Sequence, residues 1–388
     1  MSATLASSLP VYLVGALAVQ IRQSLRFGPG ALGLASGLYF VAAAGSSIPM
    51  SWVSERIGGA AVLRIGALLE GVTLVALGVA SRSWAALAGL LVLAGALAGW
   101  ISPASYLFLS ESVVLRRQGR AFGVNQAAVP LAPLLGGLAV PALALTVGWR
   151  WAFVVAGVLS MLVGRLVPPT PPGGAGRQER SRSPVEPGPP LRFLPLIILG
   201  AGLGLGMFEA SALVTFLSSG AVALGMRPAL AGYLVAGASL AAVLARLSLG
   251  AVADRRGGDH FGLVALTMAL GAVALVVLGW ADAGRISTVF AATALVAVGL
   301  GWGWNALLNF AVVRSHAHAP ARATGVTDVG GRLGGMLGPV VTGLVIAHGS
   351  YAEGWLVLAV ALALAAGLVS GGRRLLARSA PEARPSGS

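Results

Sequence analysis

The sequence contains no cysteine. That removes disulfide frameworks, thiolate metal sites and cysteine nucleophiles from consideration. Lysine is also absent, so all 26 basic residues are arginine. A phosphate-gripping Gly-x4-Gly-Lys-Ser/Thr loop therefore cannot exist, and no nucleotide-hydrolysis motor is encoded. Charge is scarce, at 10% of 388 residues, with only 12 acids. A soluble domain needs far more polar surface than this. The four histidines, His260, His316, His318 and His348, fall in loops or at helix ends, without the clustered carboxylates that an intramembrane hydrolase or a metal centre requires. We expect no enzyme activity, no metal and no cofactor.

What remains is apolar: 57% hydrophobic residues, with a mean hydropathy of +0.87. Runs of the roughly 20 residues that span a bilayer recur along the chain, and they suit helices rather than barrel strands. The reading is an all-α membrane protein with about twelve spans, at 5–24, 30–52, 60–80, 85–110, 121–145, 150–167, 193–219, 228–250, 261–281, 286–311, 323–347 and 354–371. No basic n-region precedes the first apolar run, so that run reads as an uncleaved span rather than a signal peptide. The stretch 168–192 is dense in Pro, Gly, Arg and Ser and divides the chain into halves 1–167 and 193–371; a tail, 372–388, has the composition of a disordered segment. With the N-terminus in the cytoplasm, only Arg22, Arg26, Arg82, Arg150, Arg227 and Arg285 fall outside, and most other arginines fall inside. This bias supports a multi-pass protein of the cytoplasmic membrane with both termini cytoplasmic. It also accounts for the net charge of +14 without a nucleic-acid partner, because no basic groove interleaved with aromatics is present.

The two halves repeat one another. A gapless register sets Gly99-Trp100 on Gly301-Trp302, Phe108 on Phe310, Arg120-Ala121 on Arg322-Ala323 and Gly123-Val124 on Gly325-Val326. Two loops also correspond: Ser51-Trp52-Val53-Ser54-Glu55-Arg56-Ile57-Gly58 after span two, and Gly250-Ala251-Val252-Ala253-Asp254-Arg255-Arg256-Gly257 after span eight. These resemble the Gly-x-x-x-Asp-Arg-x-Gly signature of the major facilitator superfamily, with Ser51 and Glu55 departing in the first copy. The resemblance covers the twelve-span layout. It implies two pseudo-symmetric six-helix halves that rock about a central site, a small-molecule substrate, protons as the coupling ion, and a monomer in the lipid bilayer. It further implies that Glu55, Arg56, Asp254 and Arg255 gate the cytoplasmic side, Glu55 facing the start of span eleven near Ala323 and Thr324, and Asp254 the start of span five near Ala121 and Phe122. A carboxylate is favoured at such helix starts. In span five, Ala132-Pro133-Leu134-Leu135-Gly136-Gly137 resembles the Gly-Pro-x-x-Gly-Gly element of proton-coupled antiporters, which leans the reading toward export. Pro133 there, and Gly338-Pro339 in span eleven, are read as bending points of the gate. An uptake symporter or a non-transporting sensor of the same fold is the alternative.

Polar groups within spans are expensive and mark candidate sites. The resemblance places spans one, four, seven and ten around the cavity. Trp100, Ser102 and Tyr106 on span four, Glu209 on span seven, Trp302, Asn305 and Asn309 on span ten, and Arg332 on span eleven are the substrate-binding candidates. Trp302, Asn305 and Asn309 have the spacing of one helical face. Glu209 is the first candidate for the proton carrier and Asp328 the second. Asp328 and Arg332, four residues apart, are expected to pair in a low-dielectric site. Arg246 on span eight is read as extending to the cytoplasmic surface.

Overall fold

The computed structural model describes residues 1–113, 125–168, 193–256, 260–316 and 320–378. Helices α1 (Ser2–Ala16) and α2 (Ala18–Leu25) meet at 68° and together form the first span. The next four are α3 (Pro29–Ile57), α4 (Gly59–Ala80), α5 (Trp84–Ser112) and α6 (Ala128–Ala139). From α6 the chain continues through a π-helical segment, Val140–Gly148, into α7 (Trp149–Leu166). The second half comprises α8 (Phe193–Ala223), α9 (Pro228–Arg256), α10 (Phe261–Ala283), α11 (Ser287–Gly303), α12 (Asn305–Ser315), α13 (Pro320–His348) and α14 (Tyr351–Arg378).

Ten helical stretches are long and apolar enough to cross a bilayer, and the bent pair α1–α2 adds another. The longest stretch, Ala128–Leu166, is two crossings. Gly148 at φ 104° and ψ 150° takes a backbone conformation open to glycine, and the chain reverses there. After the turn, Arg150 donates to the Gly78 carbonyl at 3.1 Å, while at the other end of α4 Arg64 donates to the Val167 carbonyl at 2.8 Å. Thus α7 runs antiparallel beside α4. With α11 and α12 together forming one span, the described residues make twelve crossings, consistent with the sequence. Capping sets some boundaries: Ser83 accepts from the Ala86 amide at 3.2 Å and starts α5, and Pro29 occupies the first turn of α3. The expected boundaries shift at the ends. The seventh span reaches Ala223, the eighth Arg256, and the last helix continues through Gly372 to Arg378.

We call the end of the bundle that carries Ser2 and Arg378 the near end, and the opposite one the far end. Each half packs internally, α3 on α5 and α4 on α7 in the first, α8 on α13 and α10 on α14 in the second. Lipid tails are as apolar as the side chains, so close packing has to supply the attraction that water supplies elsewhere. Glycine permits it: Gly71 and Gly157 face each other's carbonyls across α4 and α7, while Gly330 of α13 faces the Gly200 carbonyl and Gly204 of α8 the Gly330 carbonyl. Among the described residues the halves meet chiefly along α1–α8, α3–α13 and α6–α9, with smaller contacts of α8 with α2 and of α9 with the π-helical segment.

Candidate functional site

The contacts between halves concentrate toward the far end. Gly33 and Gly37 of α3 lie against the Pro339 carbonyl, Met336 and Val340 of α13, and Gly137 lies against Gly232 of α9. On α1, Gly15 rests on the backbone of Val214 and Thr215 in α8. Arg22 donates to the Tyr351 hydroxyl at 3.1 Å, adding a tie at the far rim. The described residues therefore close the molecule at its far end. Pro133 is buried in α6, and Gly338 abuts the Phe208 carbonyl and Ser211, so both proposed bending points sit within packed helix contacts.

Below this seal, Tyr12 of α1 and Trp302 of α11 bring rings from the two halves to 5.7 Å at an angle of 52°. Arg246 of α9 places its guanidinium 5.0 Å from the centre of the Trp302 ring. One of its terminal nitrogens is 3.3 Å from the Gln126 carbonyl in the first half, and the other 3.4 Å from the Trp302 carbonyl in the second. Nε is buried without a partner. The expectation that Arg246 reaches the membrane surface is corrected. The aromatic face and two carbonyls draw it inward, to where the halves join.

Glu209 of α8 is fully buried, and neither carboxylate oxygen has a hydrogen-bond partner among the described residues. It packs against Gly301, whose other neighbour is Gly271 of α10, so it lies inside the second half rather than on the surface between halves. The first half also holds a buried acid, Glu70 of α4, equally buried and unpartnered among the described residues. Beside Glu209 the helical bonding of the tenth span is interrupted at Trp304, between α11 and α12. Trp304 is fully buried, its indole N–H donating to the Gly301 carbonyl and its ring covering Gly206.

The other sequence-derived residues divide. Asn305 donates to the Met207 sulfur at 3.2 Å, and Asn309 reaches the Asn305 side-chain oxygen at 3.5 Å, with its own oxygen unpartnered. Ser102 bonds back to the Ala98 carbonyl of its own helix at 3.1 Å. Trp100 is half-buried and packs with Met50 and a cluster of Ala3, Val62, Leu63 and Ile101 in the first half, away from Trp302. Tyr106 is 40% exposed and lies within electrostatic reach of Asp328 and Arg332 across the division between halves. Both of those side chains are exposed toward that division, and the Arg332 charge acts on Asp328. Arg56 is exposed at the near end. The side chains of Glu55, Asp254 and Arg255, and the helix start at Ala121 and Phe122, lie outside the described residues. The sequence reading missed Tyr12, Gln126 and Arg246 as a group. A usable signal was present: Arg246 has no acid three or four residues away on its own helix to pair with.

Two further cavities lie at the near end, one in each half. One, of about 250 Å³, includes Ala3, Ser105, Phe108 and Asn125, beside a bond of 2.8 Å from Thr4 to Asn125. The other, of about 380 Å³, includes His260, Arg314 and Arg373. Among the described residues there is no group of three or more residues able to hold a metal ion.

Twelve crossings in two packed six-span halves, with aromatic and charged groups where the halves meet, define a polytopic helical membrane protein of the transporter class. The family model of the Major Facilitator Superfamily matches residues 1–339, and the chain belongs to that superfamily; it is a transporter rather than an enzyme. Among solved structures, it is similar to a bacterial homologue of the human lysosomal transporter Spinster in two inward-facing conformations. The occupied form has a TM-score of 0.72 at 16% identity, with 96% of each chain covered. The unoccupied form has a TM-score of 0.76 at 16% identity, covering 97% of this chain and 96% of that one. A D-xylose-proton symporter gives a TM-score of 0.73 at 16% identity over 95% of each chain. No curated protein matches.

Proposed function

We propose that this protein is a secondary active transporter of a small solute, working by alternating access in the cytoplasmic membrane, with its near end in the cytoplasm. The observation that carries the reading is the far-end seam, where helices of opposite halves touch through glycine and carbonyl groups while Tyr106, Asp328 and Arg332 stay exposed. On this assignment the molecule is closed outside and open inside, the state named for the Spinster homologue. Energy comes from an ion gradient, and one charge crossing 100 mV supplies about 2.3 kcal/mol. Protons are the proposed ion, with the enclosed carboxyl of Glu209 as carrier, because a protonated carboxyl can occupy an unpartnered site without stranding a charge. The direction favoured is export in exchange for protons. It rests on the Pro133–Gly137 element, whose last glycine lies in the seam against Gly232. Glu55, Arg56, Asp254 and Arg255 are proposed as the latch of the opposite, inward-closed state.

The Cys-free chain allows a direct test. Val340→Cys sits in the seam and becomes accessible to water on the far side only when the seam parts. We expect an impermeant maleimide added outside to label it slowly, and Ser350→Cys at the exposed rim to label fast. A methyl built on Gly37 would lie 3.9 Å from the Val340 Cβ, within the range for a disulfide. Oxidising the Gly37→Cys/Val340→Cys pair should therefore lock the seam and stop transport, with recovery on reduction. Unimpeded transport by the oxidised protein would end the alternating-access reading.

A further inference from the structure

From the geometry around Arg246 we infer that the transported solute is an organic anion, a carboxylate on a flat apolar body, held between the guanidinium of Arg246 and the rings of Tyr12 and Trp302. The inference rests on the transporter reading above and gives it a substrate class.

Arg246 is an uncompensated charge, half-buried as a side chain, with Nε fully buried. Taking a guanidinium out of water costs several kcal/mol unless an opposite charge and good hydrogen bonds replace the solvent. Among the described residues, Arg246 contacts two carbonyl oxygens and one ring, and no acidic side chain is among those contacts. Both bonds, at 3.3 Å and 3.4 Å, lie beyond the usual N–H···O range. The ring face adds on the order of 0.5–2 kcal/mol. Nε, with its hydrogen, is buried and unpartnered. The fully buried acid of the second half, Glu209, packs against Gly301 and is not among the Arg246 contacts. The protein thus provides a cation in a membrane interior and withholds the anion.

The shape of the surroundings narrows the class. Nε–H together with one terminal N–H makes the planar fork that matches the two oxygens of a carboxylate. Tyr12 and Trp302, buried at 7% and 2% exposure in this state, form a tilted aromatic pair beside it. A ligand whose carboxylate takes the fork would lay its body against that pair once the halves part enough to admit it. The pair and the carbonyls belong to both halves: Tyr12 and Gln126 to the first, Trp302 and Arg246 to the second. A bound anion would therefore gain contacts that depend on how the halves are disposed, which is what lets a ligand bias a conformational equilibrium. The competing assignment makes Arg246 a strap tying α9 to the backbone at Gln126 just before α6, indifferent to any ligand.

The test uses the full chain purified in detergent at about 0.15 M salt, where exposed charges are screened beyond about 8 Å. The probes are benzoate, salicylate and indole-3-acetate, each paired with its neutral carboxamide. Thermal unfolding and tryptophan fluorescence report binding. We expect at least one carboxylate to raise the melting temperature and perturb the fluorescence, and its amide to do neither. Arg246→Lys keeps a charge but loses the fork, and should weaken the apparent affinity ten-fold or more; Arg314→Gln, at the near-end periphery, should leave it unchanged. The anion class is overturned if no carboxylate acts on the unmodified chain, if the amides act equally, or if Arg246→Lys responds like the parent. The comparison of acid with amide decides the matter even if an Arg246 variant fails to fold. Labelling of Val340→Cys is measured separately and without any carboxylate. Seam opening with no response to carboxylate removes the substrate class and leaves the transporter; a response with no opening keeps the site and removes transport.

Discussion

Glu209 and Arg246 touch adjacent residues of one stretch of backbone. The carboxyl packs on Gly301, and the guanidinium bonds the carbonyl of the next residue, Trp302. A change in charge on one is therefore felt by the other through two residues of α11, without direct contact. If Glu209 carries the coupling proton, Glu209→Gln fixes the neutral form and prevents release. We expect this variant to exchange substrate between the two sides of a vesicle, yet to lose the roughly 50-fold accumulation that one proton moving through 100 mV can drive. Both quantities should be measured on the same vesicles. Wild-type accumulation by the variant would remove Glu209 from the mechanism and bring Asp328 forward.

At the scale of the element, the tenth span decides how the site is arranged. Its sequence reads as a single helix on which Trp302, Asn305 and Asn309 share a face. The structure interrupts its helical bonding only at Trp304, whose backbone stays helical at φ −63° and ψ −24°, so Ser287–Ser315 remains one span with Trp302 before the interruption and the asparagines after it. Trp302 turns to Tyr12 and Arg246 at the division between halves, whereas Asn305 bonds Met207 within its own half. The periodicity was legible; the interruption was not, because Gly299, Gly301 and Gly303 permit one without requiring it. What fixes the interruption is the Trp304 ring filling the space over Gly206 and its indole bond to Gly301, both of them contacts that no spacing rule encodes. Trp304→Ala removes a fully buried indole and should cost about 3–5 kcal/mol. The expected readout is a melting temperature lowered by many degrees in detergent. A variant that melts with the parent would mean the interruption is held by something else.

For the whole molecule, length and hydropathy were enough to read about twelve crossings, because the bilayer imposes its thickness on every span alike. The pairing of faces was harder to read. Glu209, placed by resemblance against the cavity, is enclosed within the second half, and Trp100 does not mirror its repeat partner Trp302. A charge without a partner on its own helix, as at Arg246, was the clearest clue in the sequence to a contact made elsewhere.

The far-end seam is built from glycine, carbonyl and methyl groups, with Arg22 and the neutral Tyr351 at its rim. Dissolved salt screens charges, reducing their reach from about 10 Å at 0.1 M to about 3 Å at 1 M, and leaves such packing nearly untouched. The latch proposed for the opposite state, at Glu55 and Asp254, is made of charges. Ionic strength should therefore act on the two directions of the cycle unequally. We expect the rate at which the closed seam first parts, followed by labelling of Val340→Cys under fast-reagent conditions, to stay within about two-fold between 0.1 and 1 M salt. The time spent open before returning should shorten over the same range. A strong salt dependence of the parting rate would place charged groups in the seam. In kinetic terms, the protein leaves this state on a clock set by packing and comes back to it on one set by electrolyte.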